Sequence, residues 1–287
     1  MMKTEMLRKI ENKEIVVGVV GLGYVGLPLA VEKAKAGFKT IGFDVQPQKV
    51  EMVNAGHNYI GDVVDSDLAE IVKSGMLSAP TDFSFVKDVD FVAICVPTPL
   101  DEHQQPDISY VRSSTEAVSK YLKKGTMVVL ESTTYPGTTE EMLRPILEKS
   151  GLKCGVDFFL AFSPERVDPG NAIYKTKNTP KVVGAVGEEA LELYEDSEPG
   201  GFDAVLMDIK MPGMDGWEAA RRIRASARPD AQRIALVALS ANAFAEDARR
   251  SRAVGMDGHI GKPVDFDELE ALFGRIRSGR CKGKDNA

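Results

Sequence analysis

The chain has 287 residues, 43% of them hydrophobic and 28% charged, with a formal net charge of −7 and a pI near 5.2. That is a globular composition with room for two modest domains, and it lacks the basic footprint of a general nucleic-acid or membrane-surface binder. Cys95, Cys154 and Cys281 are too few and scattered for a disulfide framework or zinc site, and no signal-peptide core or membrane-length apolar run occurs, so a cytoplasmic location is expected.

Ile15 to Val20 is an unbroken apolar run, as in a parallel strand covered on both faces. Gly21-Leu-Gly-Tyr-Val-Gly26 follows it directly, then a helix closing on Gly37, a strand from Lys39 to Phe43, and Asp44. This order makes a βαβ dinucleotide-binding fingerprint. Gly21 permits a tight turn, Gly23 lets the backbone approach a pyrophosphate and Gly26 lets helix and strand pack closely, while Tyr24 and Val25 complete the loop. Asp44 would accept ribose hydroxyls and repel a 2′-phosphate, which favours NAD over NADP.

Helices are expected over Lys49 to Asn54 and Asp67 to Ser74, then a buried strand from Asp90 to Val96. That strand ends in Pro97-Thr98-Pro99, a sequence unable to run straight into a helix, so a rigid loop should stand beside the cofactor. Cys95 reads as a small buried strand residue. A helix from Ile108 to Leu122, a strand from Thr126 to Leu130, the segment Glu131 to Thr139, a helix from Glu140 to Lys149 and the strand-like Asp157 to Phe162 come next. Ser163-Pro-Glu-Arg-Val167 and a short strand at Lys181 to Gly184 close the first part.

Gly21 to Ala30, Cys95 to Leu100, Ser132-Thr133 before Pro-Gly-Thr-Thr139, and Ser163 to Val167 together resemble the N-terminal domain of the UDP-glucose/GDP-mannose dehydrogenase family, in its UDP-N-acetylglucosamine 6-dehydrogenase form. The resemblance spans residues 1–185. It implies an NAD-binding Rossmann-type domain, with Pro97, Thr98 and Thr133 near the cofactor, and a UDP-sugar whose C6 alcohol is oxidised twice through a thioester. It also implies that Thr133 and Glu165 reach the reacting carbon, Glu165 assisting proton transfer. Read on its own, Glu165 is a loop acid paired with Arg166. The family's nucleophilic cysteine belongs to a later Gly-rich domain, and Cys281-Lys-Gly-Lys284-Asp285 lacks that Gly-Gly run, so complete catalysis is not expected.

Beyond residue 185 the alternation starts afresh: an acidic helix from Glu188 to Tyr194, a strand from Phe202 to Met207 ending at Asp208, and a helix from Trp217 to Ala225. A strand from Ile234 to Leu239 then ends at Ser240, a helix runs from Ala243 to Val254, a strand from Gly258 to Ile260 leads to Lys262, and a helix runs from Phe266 to Ile276. Asp208, Met211-Pro212, Asp215-Gly216, Ser240-Ala241 and Lys262-Pro263 resemble a response-regulator receiver domain. The resemblance implies Asp208 as phosphoacceptor, Ser240 as the responding hydroxyl, Lys262 as its cationic partner, His259 at the switch position, and a histidine kinase or phosphotransfer protein as partner. A receiver's acidic pair is not evident in the sequence before Val186, leaving Asp208 and a backbone carbonyl for Mg²⁺, enough for weak binding at most.

The basic residues change character at the same place. Residues 1–185 hold 17 Lys and 4 Arg; residues 186–287 hold 4 Lys and 11 Arg. Lys and Arg serve solvated surfaces almost equally, so a difference in ancestry explains the switch better than folding does. The expected architecture is α/β: a doubly wound parallel sheet over residues 1–185, followed by a truncated flavodoxin-like receiver unit over 186–287. Ala204 to Met207 is expected to pair with Lys181 to Gly184 in one continuous sheet. The leading reading is the NAD-binding part of a nucleotide-sugar dehydrogenase fused to a receiver fragment; a phosphorelay module and a chimeric chain without selected activity stand beside it.

Overall fold

The computed structural model describes residues 2–100, 106–135, 137–163, 188–211, 214–240, 245–262 and 264–277. Contacts divide the chain into two units, Met1–Val183 and Gly184–Ala287.

The first unit opens with helix α1 (Met2–Glu11) and then alternates strongly: β1 (Val16–Val20), α2 (Gly26–Lys35), β2 (Lys39–Phe43), α3 (Pro47–Asn54), α4 (Asp65–Lys73), β3 (Leu77–Ser78), β4 (Phe91–Ile94), α5 (Ser109–Ser119) and β5 (Met127–Leu130). A π-helical turn, Thr138–Leu143, runs into α6 (Arg144–Leu147), and β6 (Phe159–Phe162) follows. The six strands form one parallel sheet in the order β3-β2-β1-β4-β5-β6. This is the Rossmann order, whose direction of winding reverses between β1 and β4. Apolar β-branched runs at β1 and β4 suit that centre, because strands there are covered on both faces. Val17 and Val19 enter one core with Leu27, Ala30 and Leu68, while Val20, Val92 and Ile94 enter the other with Val111, Val118 and Leu143.

The helix expected from Glu140 to Lys149 is instead a π-turn, a short α-helix and a 3₁₀ turn at Glu148–Ser150. Pro145 explains the break: it has no N–H for the carbonyl four residues back, and its ring crowds that carbonyl. The helix read from Ile108 begins at Ser109, because Asp107 Oδ1 takes the Ser109 N–H at 2.9 Å and fixes the start.

The second unit runs α7 (Glu188–Glu195), β7 (Ala204–Asp208), α8 (Gly216–Ala225), β8 (Ala235–Ser240), α9 (Ala245–Ala253), β9 (Gly258–Gly261) and α10 (Phe266–Arg277). Its strands form a parallel sheet in the order β7-β8-β9. Leu191 and Tyr194 of α7 pack with Met207, Ile209, Trp217 and Ile223, so α7 belongs to this core. Asp215 caps α8 by accepting the Glu218 N–H at 2.7 Å. The described strands thus form two sheets and not one. Lys181 to Gly184, the strand through which continuity was expected, lies outside the described residues, as do Glu165, Pro212, Ala241, Pro263 and Cys281.

Candidate functional site

In the first unit the residues singled out by the sequence gather at the carboxyl ends of consecutive strands. Gly21 follows β1, Asp44 follows β2, Cys95 to Thr98 follow β4, Ser132 and Thr133 follow β5, and Ser163 follows β6. Open α/β sheets bind ligands along this edge, at the point where the winding reverses.

The three glycines meet three different constraints. Gly21 turns with φ of 91°, and a Cβ there would sit 2.9 Å from the Cys95 carbonyl oxygen. A Cβ on Gly26 would fall 1.8 Å from the Gly21 carbonyl oxygen, so helix α2 can pack this closely only without a side chain. At Gly23 a Cβ would have nothing within 4 Å. The protein therefore has no packing reason of its own for glycine at position 23, whereas a ligand brought up against the backbone there would.

Asp44 is 7% exposed and built into the loop. Its Oδ2 accepts the Leu22 N–H and its Oδ1 the Gln46 N–H, both at 2.9 Å. A carboxylate offers about four lone-pair positions, so both oxygens keep capacity for ribose hydroxyls. Lys49 Nζ stands 3.7 Å from Oδ2. The Tyr59 hydroxyl donates to the Leu22 carbonyl at 2.7 Å, and burial, with the Asp44 charge behind it, pushes its pKa upward. Sequence reasoning missed Tyr59, whose spacing from the loop follows no pattern, and Lys49, which was read only as the start of a helix.

Ser132 is buried and donates to the Val96 carbonyl at 2.7 Å, tying the loop after β5 to the loop after β4. Thr133 beside it is exposed, and Thr98 is half-buried. Pro97 and Tyr24 are exposed, and Val25 packs against the core. Cys95 is buried, as expected, with its N–H on the Val20 carbonyl at 2.8 Å. Glu165 lies outside the described residues.

The second unit gathers its polar residues in the same manner. Asp208 ends β7, Ser240 ends β8 and Lys262 follows β9. Lys262 Nζ forms an ion pair with Asp208 Oδ2, and the Lys262 N–H donates to the Ser240 carbonyl at 2.7 Å. The Ser240 hydroxyl is 2.8 Å from His259 Nε2. Among the described residues no three His, Cys, Asp or Glu side chains converge as metal ligands. A Cβ on Gly216 would lie 2.3 Å from the Asp208 carbonyl oxygen, so the small residue lets α8 start against the end of β7. No helix among the described residues is long and apolar enough to cross a membrane.

Protein CapL of Staphylococcus aureus is 40% identical over 181 residues, covering 63% of this chain and 42% of that protein. The UDP-N-acetyl-D-glucosamine 6-dehydrogenase of Pseudomonas aeruginosa is 40% identical over 190 residues, covering 64% of this chain and 43% of the enzyme. The solved NDP-N-acetyl-D-galactosaminuronic acid dehydrogenase of Methanosarcina mazei Go1 superposes with a TM-score of 0.57 at 37% identity, over 67% of this chain and 44% of that one. The chain thus spans less than half the length of these relatives. Residues 173–273 match the response regulator receiver domain. Residues 15–196, more than half of the chain, match the NAD binding domain of the UDP-glucose/GDP-mannose dehydrogenase family, and the chain belongs to that family.

Proposed function

We propose that residues 1–185 act as the NAD-holding part of a nucleotide-sugar 6-dehydrogenase, of the UDP-hexose or UDP-N-acetylhexosamine class, and that residues 186–287 act as a receiver-type unit joined to it. The observation that carries the first half is the contrast between Gly26, closed by the protein's own backbone, and Gly23, open on its Cβ side. Such a loop, ahead of helix α2, offers backbone N–H groups and a positive helix end to a pyrophosphate.

In this reading Gly21 to Gly26 cradle the pyrophosphate, with Tyr24 and Val25 shaping the loop, and Asp44 accepts the adenosine ribose hydroxyls. Pro97, Thr98 and Thr133 border the nicotinamide side. When bound, NAD supplies the hydride acceptor. Thr133 orients the reacting alcohol, and Glu165 takes the proton that leaves it, a role that suits a carboxylate. Cofactor binding is the activity assigned to this chain. Calorimetry with NADH and NADPH on the whole chain tests the assignment: micromolar to sub-millimolar NADH binding with weaker NADPH binding is expected, and no heat with millimolar NADH would overturn it.

A second reading is supported by Asp208, Lys262 and Ser240 meeting at one sheet edge. A carboxylate nucleophile needs a nearby cation for the charge of a transferring phosphoryl group, and Lys262 supplies one. The partner in that reading is a histidine kinase or phosphotransfer protein. With Asp208 as the acidic ligand at hand, Mg²⁺ binding is assigned as weak, so acetyl phosphate with Mg²⁺ should label Asp208 well below stoichiometry. Stoichiometric labelling abolished by Asp208→Ala would show that another acid completes the metal site.

A further inference from the structure

Leu22, between the first two glycines of the loop, is held at both ends of its backbone and by its side chain. Its N–H donates to Asp44 Oδ2 at 2.9 Å, and its carbonyl accepts the Tyr59 hydroxyl at 2.7 Å. The side chain is fully buried over Gly42 of β2, where a Cβ would fall 2.7 Å from Leu22 Cδ2. Both hydrogen bonds have one possible sense, because a backbone N–H can only donate and a carbonyl can only accept. Tyr59 itself stands on a braced segment between α3 and α4. The Asn58 side chain donates to the carbonyls of Ile60 at 2.6 Å and Val63 at 2.7 Å and accepts the Ile60 N–H at 2.7 Å, while the Tyr59 ring packs against the core that contains Leu22 and Leu27. Burial, and after it the Asp44 charge, push the Tyr59 pKa upward, so the phenol keeps the hydrogen it donates.

The carbonyl of Leu22 and the N–H of Gly23 belong to one peptide group. That group is planar and trans, so the two bonds point in opposite directions, and a carbonyl held toward Tyr59 turns the Gly23 N–H away from it. Among the described residues no backbone carbonyl accepts that N–H. Gly23 is also the residue whose open Cβ side admits a ligand, and a glycine there leaves the preceding peptide easy to rotate. The Tyr59 hydroxyl removes the freedom that the glycine brings.

We infer that Tyr59 is a positioning residue for the cofactor, whose hydroxyl fixes the Leu22–Gly23 peptide with the Gly23 N–H presented to the pyrophosphate. The inference rests on reading the loop as the NAD site. A donor held in place before the ligand arrives needs no ordering when the anion binds, and its hydrogen bond to a charged oxygen is stronger than one to a neutral group.

Tyr59→Phe keeps the ring and removes the hydroxyl, and the whole chain is titrated with NADH, ADP-ribose and adenosine. Affinity for NADH and for ADP-ribose should fall by the same factor, about fivefold, as the loss of one hydrogen bond would give. Adenosine, which has no phosphate and meets Asp44, should bind as before. A second measurement follows the Gly23 amide signal, assigned by its loss in Gly23→Ala. It should move downfield in the unaltered chain when ADP-ribose is added, and by a smaller step in Tyr59→Phe. An equal fall for all three ligands would show that Tyr59 merely holds the domain together, and it overturns the inference. So does a Gly23 amide that stays in place in the unaltered chain. NADH binding unchanged by Tyr59→Phe refutes the inference alone, whereas an unaltered chain that binds neither NADH nor ADP-ribose refutes the NAD reading and the inference with it.

Discussion

At the residue scale, glycines in the same loop have opposite reasons for being glycine, and substitution separates them. Gly26→Ala drives a methyl into the Gly21 carbonyl oxygen, which a backbone shift must relieve at about 1–3 kcal/mol, so both thermal stability and NAD binding should fall. Gly23→Ala meets nothing within 4 Å, so the melting temperature should stay within about a degree while NADH affinity drops at least tenfold. A Gly23→Ala variant that binds NADH normally would show that the pyrophosphate does not lie there. Asp44 carries a third test. With Asp44 replaced by Ala, the Lys49 ammonium now 3.7 Å from Oδ2 is released from its carboxylate and can meet a 2′-phosphate, so the NADH/NADPH affinity ratio should shrink and NADPH binding itself should strengthen. If Lys49 plays no part, the double variant Asp44→Ala, Lys49→Ala would bind NADPH as well as the single one.

At the scale of elements, the floor of the first sheet depends on one acid. Asp90, just before β4, accepts the Val16 N–H at 3.0 Å on Oδ2 and faces Lys123 at 3.1 Å and Lys9 of α1 at 3.7 Å on Oδ1. Burial alone would raise its pKa, but the Val16 hydrogen bond and the two ammonium groups outweigh burial and hold it below the ordinary carboxylate value of 3.8. A depressed folded-state pKa means stability that is fully present above the unfolded value and lost as pH falls through the lower folded one. Below about pH 4, therefore, the first unit should lose stability, and Asp90→Asn should flatten that part of the acid unfolding curve. Asp90→Ala, which also strands the Val16 N–H, should cost about 1–3 kcal/mol at pH 7 in denaturant titration. In the second unit Arg224 of α8 performs an analogous task. Its guanidinium donates to the carbonyls of Gly255, Ala231 and Ile234 and pairs with Asp257 at 2.8 Å, whose Oδ2 also takes the Leu236 N–H. One planar fork reaches all of these, and an ammonium cannot, so Arg224→Lys should destabilise the unit by about 2 kcal/mol although the charge is kept.

For the whole molecule, each unit has its own apolar core, and the chain's single tryptophan, Trp217, lies in the core of the second. NAD stabilises only what it binds, by RT ln(1 + [L]/Kd), about 2.7 kcal/mol at a hundredfold excess over Kd. Added NAD⁺ should therefore raise the calorimetric transition of the first unit while the transition followed by Trp217 fluorescence stays in place. A matching rise in both would show that the two units unfold as one.

Much was legible in the sequence because it is local. Strand, glycine turn, helix, strand and acid are consecutive in the chain, so periodicity and spacing name the β1-α2-β2 unit and Asp44 without any distant contact. Strand ends such as Asp208, Ser240 and Lys262 are likewise read from where apolar runs stop. Other features required the third dimension, because they join residues far apart in the chain. Tyr59 reaches Leu22 across 37 positions, Asp90 reaches Val16 across 74, and Trp217 reaches Ser251 across 34. The sheet order and the division of the described strands into two sheets are of this kind. Local sequence sets which elements form, since backbone geometry and apolar period act over a few residues; which side chains meet depends on how those elements pack, and packing is decided by the chain as a whole.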